Sequence, residues 1–203
     1  MTAPLETISR ENLPPDTVAL AKFLIGKIVV RRLPEIAAAC RIVETEAYLA
    51  DDRASHGFRG RTARNAVMFG ERGYAYVYLA YGVSYMLNVS SGAEGVGEGV
   101  LIRAAEPLSG VAAMQARRDG AAPRDLLRGP GRLAKALEID RSLNGVDLCE
   151  QGSLWLAVDA AAPPDIAQSV RIGITKDAHR PLRFFASGSP FVSGPASLNK
   201  PGR

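Results

Sequence analysis

Hydrophobic and polar positions alternate most clearly between Arg41 and Tyr48, in the run Arg-Ile-Val-Glu-Thr-Glu-Ala-Tyr. Alternation rich in β-branched residues predicts a half-buried strand. Side chains alternate across a strand, so Glu44, Glu46 and Tyr48 share one face and Val43, Thr45 and Ala47 the other. A second alternating run carries tyrosines at 74, 76 and 78, breaks at Tyr81-Gly82 and continues through Met86-Leu-Asn-Val-Ser90. It predicts a β-hairpin with an aromatic at its tip. Pro14-Pro15-Asp16-Thr17 predicts a helix start, with Val18, Leu20, Ala21, Phe23 and Leu24 as the apolar face and Gly26 as the stop. A strand over Lys27–Arg32 follows. Gly110–Arg118 and Gly129–Leu137 read as helices, Ser153–Val158 and Ser169–Ile174 as late strands, and the lone Trp155 as core. The Ala121–Arg124 and Ala160–Pro164 stretches read as surface loops, not linkers, so a single α+β domain over 1–203 is expected.

Composition narrows the class. A chain of 203 residues can bury a substantial core. The net charge of +4 has the sign that a polyanionic partner favours. No apolar run reaches membrane-spanning length, and Met1-Thr-Ala-Pro-Leu-Glu does not resemble a secretory signal. The expectation is a cytoplasmic protein, nucleoid-associated if bacterial, that is monomeric and not attached to a membrane. Cys40 and Cys149 stand far apart without metal-ligand spacing; a disulfide stays open, with reduced thiols the simpler expectation in the cytosol. With His56 and His179 the only histidines, no metal site is expected. The His-x-Glu and Pro-Cys-x-x-Cys arrangement of zinc base deaminases is missing.

Two carboxylates and a tyrosine on one strand face fit either a solvated acidic edge or a pocket that holds a flat substrate and activates water. The segment that follows bears on the choice. Asp51-Asp52-Arg53 reads as a polar turn. Ser55–Asn65 then brings together Arg59, Arg61, Arg64, Thr62, His56 and two glycines, groups that bind phosphate backbones and let the main chain approach closely. Arginines directly before a tyrosine-rich hairpin point to a nucleic-acid surface with interleaved aromatics.

Several separate blocks then resemble the alkyladenine, or 3-methyladenine, DNA glycosylase (methylpurine) family. They are Arg41–Tyr48, Ala54-Ser-His56, Thr62-Ala-Arg-Asn65 with Met68-Phe69, Tyr76-Val-Tyr78 with Tyr81-Gly82, Asn88-Val-Ser-Ser91, Val100–Ala104 and Glu106-Pro-Leu108. Gly129-Pro130, Arg180–Phe185 and Gly188–Val192 extend the match over nearly the whole chain. The resemblance implies a curved antiparallel sheet with packed helices and a protruding DNA-intercalating β-hairpin. It implies a partner, double-stranded DNA containing damaged purines, and no cofactor. Tyr81 would wedge into the minor groove where a nucleotide leaves the stack. The extruded purine would lie between Tyr48 on one side and His56 with Tyr78 on the other. By the same resemblance, Glu46 deprotonates the attacking water, Arg103 helps hold it, and the backbone carbonyl of Ile172, mapped by the Arg-x-Gly run, also holds it. Asn88 matches the residue that crowds the exocyclic amino group of guanine. Arg61, Thr62, Arg64 and Ser84 are candidate phosphate contacts, and Glu44 reads as a structural partner for an arginine.

Lysines occur at 22, 27, 135, 176 and 200, with none between Arg41 and Arg103. Strand-cutting glycosylases normally attack C1′ with an amine, so a monofunctional enzyme that leaves an abasic site is expected. Two other classes remain open: a protein that flips and shields lesions without cleavage, and an RNA-binding module that stacks bases on the same tyrosines. A glycoside hydrolase is disfavoured, because carboxyls at i and i+2 point the same way rather than flanking a bond. Val83-Ser84 and the glycine-rich Ala93–Gly99 loop depart from the animal members of the family, and both bear on the range of lesions.

Overall fold

The computed structural model describes residues 5–199; Met1–Pro4 and Lys200–Arg203 lie outside them. Among the described residues the strands are β1 (Glu6–Thr7), β2 (Ile28–Arg32), β3 (Ala37–Tyr48), β4 (Ala75–Ala80), β5 (Ser84–Ser90), β6 (Gly99–Ser109), β7 (Leu154–Val158), β8 (Ile166–Ser169) and β9 (Arg183–Ala186). The α-helices are α1 (Thr17–Leu24), α2 (Val111–Arg117) and α3 (Pro130–Ala136). All nine strands join one antiparallel sheet, organised around β3. One edge of β3 pairs with β6 from Ala39 to Tyr48. Its other edge pairs first with β2, through Ala37–Arg41, and then with β9, through Glu44–Glu46. β7 and β1 extend the β2 side, β5 and β4 the β6 side, and β8 flanks β9. The fold is a small α+β domain with a curled sheet, as expected.

The curl has a local cause. Register shifts between Ile42 and Glu44, and again between Glu44 and Thr45, leave Val43 unmatched and bend β3. The bend lets one strand change partners midway. It also overturns the half-buried reading: Glu44, Thr45, Glu46 and Ala47 are all fully buried. On one face Thr45 donates its hydroxyl hydrogen to the Ala21 carbonyl of α1 at 2.8 Å. That helix starts where expected, with the Asp16 carboxylate accepting from the Ala19 N–H at 2.7 Å.

Two further expectations are corrected. Ser169–Ile174 is not a strand: β8 ends at Ser169, and residues 170–174 are irregular. Gly173 turns the chain at φ +78°, and the Ile172 N–H donates to a side chain instead of a strand. Nor is Asp51–Arg53 simply a polar turn, because Asp52 is fully buried and ion-paired with Arg171. Trp155 is core, packed with Ile28, Val30 and Ala157 beneath the Arg32 guanidinium.

The opposite face of β3 buries charge. The Glu44 carboxylate accepts from Arg183 Nε at 2.7 Å, Arg103 Nε at 3.2 Å and the Ser193 N–H at 2.6 Å. Arg183 is itself fully buried and also donates to Ser169, Asn199 and the Ser193 and Leu198 carbonyls. A buried ion is tolerated only when its remaining donors and acceptors are also satisfied. Glu44→Gln leaves Arg183 without its counter-charge and is expected to lower the unfolding free energy by about 3–5 kcal/mol. Urea denaturation measures this, and a loss within experimental error would mean that the pair does not hold the C-terminal segment.

Candidate active site

Glu46 follows Glu44 on the same face of β3 and meets a different set of donors. Its Oε1 accepts from the Ile172 N–H at 2.8 Å and lies 3.3 Å from Arg103 Nη1. Its Oε2 accepts from the Tyr48 hydroxyl at 2.8 Å. An ionised carboxylate offers about four acceptor positions, and these donors take three, which leaves Oε2 able to accept one more. Arg103, in β6, reaches Glu44 through Nε and Glu46 through Nη1, and approaches the Ile172 carbonyl at 3.4 Å. Burial works against its charge, yet the two glutamates more than compensate and raise its pKa. One guanidinium thereby fixes the relative orientation of a carboxylate and a backbone carbonyl.

Tyr48, Arg103 and Ile172, the partners of Glu46, line a cavity of about 300 Å3 together with His56, Tyr78 and Asn88, and Glu46 itself is fully buried behind them. The volume is within the range of roughly 300–1,000 Å3 that suits small ligands. The aromatic groups are braced. His56 Nδ1 lies 2.9 Å from the Tyr76 hydroxyl, and its ring meets Tyr78 edge-on with centroids 4.4 Å apart. Asn88 donates its amide hydrogen to the Tyr76 carbonyl at 3.1 Å. Desolvation, reinforced by Glu46, holds the Tyr48 hydroxyl far above the usual tyrosine range, and burial pushes that of Tyr78 up to about 12. Both remain protonated donors at neutral pH.

The hairpin of β4 and β5 rises beside this cavity. Tyr81 and Gly82 form its tip at φ +50° and +70°, closed by the Val83 N–H donating to the Ala80 carbonyl at 3.0 Å. The Tyr81 side chain is 92% exposed and Val83 82%. A tyrosine in the left-handed region carries a conformational cost of about 1–2 kcal/mol. One flank of the hairpin is a groove of about 520 Å3 lined by Ser84, Arg118, Arg132 and Lys135 without any acidic side chain. The other is a groove of about 380 Å3 lined by Arg64, Arg141 and Asn144.

The candidate residues thus divide. Arg103, Ile172, Tyr48, His56, Tyr78 and Asn88 line one cavity, with Tyr81 at its rim, and Glu46 lies behind its wall, joined to Tyr48, Ile172 and Arg103. Arg64 and Ser84 flank the hairpin, Arg64 donating to the Leu79 carbonyl at 3.0 Å. Arg61 and Thr62 are exposed and line none of these cavities. The Thr62 hydroxyl is engaged internally with Asn65 at 2.9 Å. Asn65, not singled out from the sequence as a site residue, is buried and ties the loop together by donating to the His56 and Gly60 carbonyls. Tyr76, Arg118, Lys135 and Arg141 were also not chosen. Tyr76 could have been, since it sits in the same alternation as Tyr78; the basic residues come from distant helices and carry no local signal.

Comparison with known proteins points to one family. The family model for methylpurine-DNA glycosylase matches residues 11–190. A protein of Mesorhizobium japonicum named "Putative 3-methyladenine DNA glycosylase" is 64% identical over 193 residues, covering 95% of this chain and 93% of the relative. Proteins of the same name from Paraburkholderia phytofirmans and Methanoculleus marisnigri are each 50% identical, over 195 and 182 residues. They cover 96% and 88% of this chain, and 92% and 94% of the relatives.

Burial against the two tyrosines, with the nearby Arg64 charge, lowers the His56 pKa below its ordinary value of 6.5, although solvent still reaches the ring. The folded protein therefore binds this proton less readily than the unfolded chain. The His56 contribution to stability is unchanged above about pH 6.5 and falls as the pH drops from there through the folded-state pKa. An NMR titration of the imidazole C–H signals should place His56 below 6.5. Arg64→Gln should bring it only part of the way back, because burial remains. A His56 value above 6.5 would contradict this description of the ring's surroundings.

Proposed function

The chain belongs to the methylpurine-DNA glycosylase family, and from that membership we propose that it is a monofunctional enzyme acting on damaged purines in duplex DNA. In this reading one domain over 1–203, working as a cytoplasmic or nucleoid-associated monomer, extrudes a 3-methyladenine, 7-methylguanine, hypoxanthine or ethenoadenine nucleotide. It then hydrolyses the N-glycosidic bond and leaves an abasic site. The observation that carries the proposal is the Glu46 carboxylate, buried directly behind an aromatic cavity and held by three residues that line it, Tyr48, Ile172 and Arg103, with acceptor capacity to spare.

Each step follows from the chemistry of these groups. The glycosidic carbon is inaccessible within stacked DNA, so the nucleotide must leave the helix. Tyr81 occupies the gap, and the strained turn holds it extended before DNA arrives, which supports a wedge role. The two basic grooves, with Arg64 and Arg141 on one flank and Arg118, Arg132 and Lys135 on the other, suit the phosphates of strands passing either side. Arg61, Thr62 and Ser84 contribute at the edges of this surface. Tyr48 stacks on one face of the extruded purine and His56 with Tyr78 on the other. A positively charged alkylpurine gains about 0.5–2 kcal/mol from such electron-rich faces. Asn88 narrows the cavity against the amino group of undamaged guanine.

Glu46 accepts a proton from a water that also donates to the Ile172 carbonyl. The water oxygen bonds to C1′ as the C1′–N bond breaks, and the bond's electron pair leaves with the base. A cationic alkylpurine departs neutral; an uncharged lesion needs a proton to leave as readily. Arg103 steadies the carboxylate and the carbonyl throughout. The lysines at 22, 27, 135 and 176 lie outside this cavity, which suits attack by water over attack by an amine.

Glu46→Gln is expected to reduce base release by about a hundred- to ten-thousand-fold while lesion binding survives. The measurement uses end-labelled duplexes carrying one hypoxanthine or ethenoadenine, with strand breaks appearing only after alkali. Breaks without alkali would refute the monofunctional assignment, and tight lesion binding without any base release would favour a shielding protein. Tyr81→Asn tests the wedge independently. Asparagine tolerates the left-handed turn, so the urea midpoint should hold or rise while affinity for lesion duplexes falls. Unchanged affinity would remove Tyr81 from the mechanism.

A further inference from the structure

Tyr48 has two faces, and only one is free for a base. The guanidinium carbon of Arg171 lies 4.6 Å from the centroid of the Tyr48 ring, and Arg171 is 3% exposed and does not line the cavity. It covers the rear of the ring. There it is locked: Nη1 donates to the Ala47 carbonyl at 3.1 Å and to the Asp52 carboxylate, and Nη2 approaches the Asp177 carbonyl at 3.5 Å. Asp52 is as deeply buried as Arg171 and is its only ion-pair partner among the described residues. Arg171 Nε makes no hydrogen bond there, an uncommon state for a buried donor. This pairing is costly if its only task is to fill space.

A cation over one aromatic face engages the same ring quadrupole that a second cation on the other face would need. Their charges also repel through the low-dielectric interior, and Asp52 reduces that repulsion by partly cancelling the first. We infer that Arg171, acting through the Tyr48 ring, sets the balance between positively charged and uncharged damaged purines, and that Asp52 sets how strongly it does so. On this view Arg171 holds back the family's natural advantage for cationic alkylpurines and leaves the cavity more even-handed toward neutral lesions. The inference rests on the glycosylase reading and on Tyr48 as a stacking wall.

The test is the ratio of kcat/KM for duplexes carrying one 7-methylguanine, which is cationic, to that for duplexes carrying one hypoxanthine, which is neutral. A ratio cancels any general loss of folded protein. Arg171→Met should raise it about fivefold. Arg171→Lys keeps the charge and should stay within about twofold of wild type. Asp52→Asn removes the neutralising charge and should move the ratio the other way, down by about threefold. These opposite signs are what a bracing role cannot produce, since bracing lowers both activities together. An unmoved ratio in Arg171→Met and Asp52→Asn, with wild type active, overturns the inference and leaves the glycosylase reading intact. If Arg171→Met does not fold, Asp52→Asn decides alone: a fall supports the inference and no change overturns it. A wild-type protein that neither cuts nor holds either duplex overturns the glycosylase reading, and this inference with it.

Discussion

Two carboxylates at alternate positions of one buried strand need counter-charges that the strand cannot supply, and much of the molecule is arranged to provide them. Glu44 draws in Arg183 from β9, Arg103 from β6 and the Ser193 N–H from the C-terminal segment. Glu46 draws in the Ile172 backbone from the irregular stretch after β8. Arg103 serves both acids, so the two carboxylates share one cation. The bulged register of β3 makes this possible, because it lets the strand exchange β2 for β9 just where the acids lie. The two acids differ in their partners: those of Glu44 hold the C-terminal segment, whereas Tyr48, Ile172 and Arg103, the partners of Glu46, line a cavity.

The hairpin is built on the opposite logic. The hairpin tip leaves Tyr81 and Val83 in solvent and holds Tyr81 in a backbone conformation that costs energy. No packing in the free protein accounts for either feature. Both make sense if the compensating contacts arrive with a partner, which is how a preorganised wedge avoids an ordering cost at the moment of binding. A rigid buried acid site and an exposed strained tip sit within one sheet, joined through β6 and β5.

Much of this was legible in the sequence. The face shared by Glu44, Glu46 and Tyr48 followed from strand alternation, and the Tyr81-Gly82 break located the turn. The depth of burial was not legible, because a run with acids at every second position looks solvated unless the arginines that pair with them are known, and Arg183 lies 139 residues away. The same blindness hid the burial of Asp52 within its turn and assigned residues 170–174 to a strand. In both cases the deciding partner is distant: Arg171 for Asp52, and the Glu46 carboxylate for the Ile172 N–H. The basic grooves were not legible as such because Arg118 and Lys135 on one flank, and Arg141 on the other, are scattered along the chain and reach the hairpin only through folding. Roles at the site came from resemblance; alternation alone would have reached an aromatic, acidic pocket near a basic surface.

The late pairing of β9 with β3 also has a consequence in time. Chain synthesis proceeds at about 5–20 residues per second, so Glu44 waits roughly 7 to 28 seconds before Arg183, 139 residues later, is made. Until then its two acids have Arg103 as a counter-charge but lack Arg183, and the edge that β9 will pair stays open. Long-range contacts of this kind slow folding, and the stretch around Ile172 that orients Glu46 also appears only near the end. The nascent chain thus has the aromatic hairpin long before it has an ordered carboxylate, and competence is acquired in one late step, when the C-terminal strand closes the sheet.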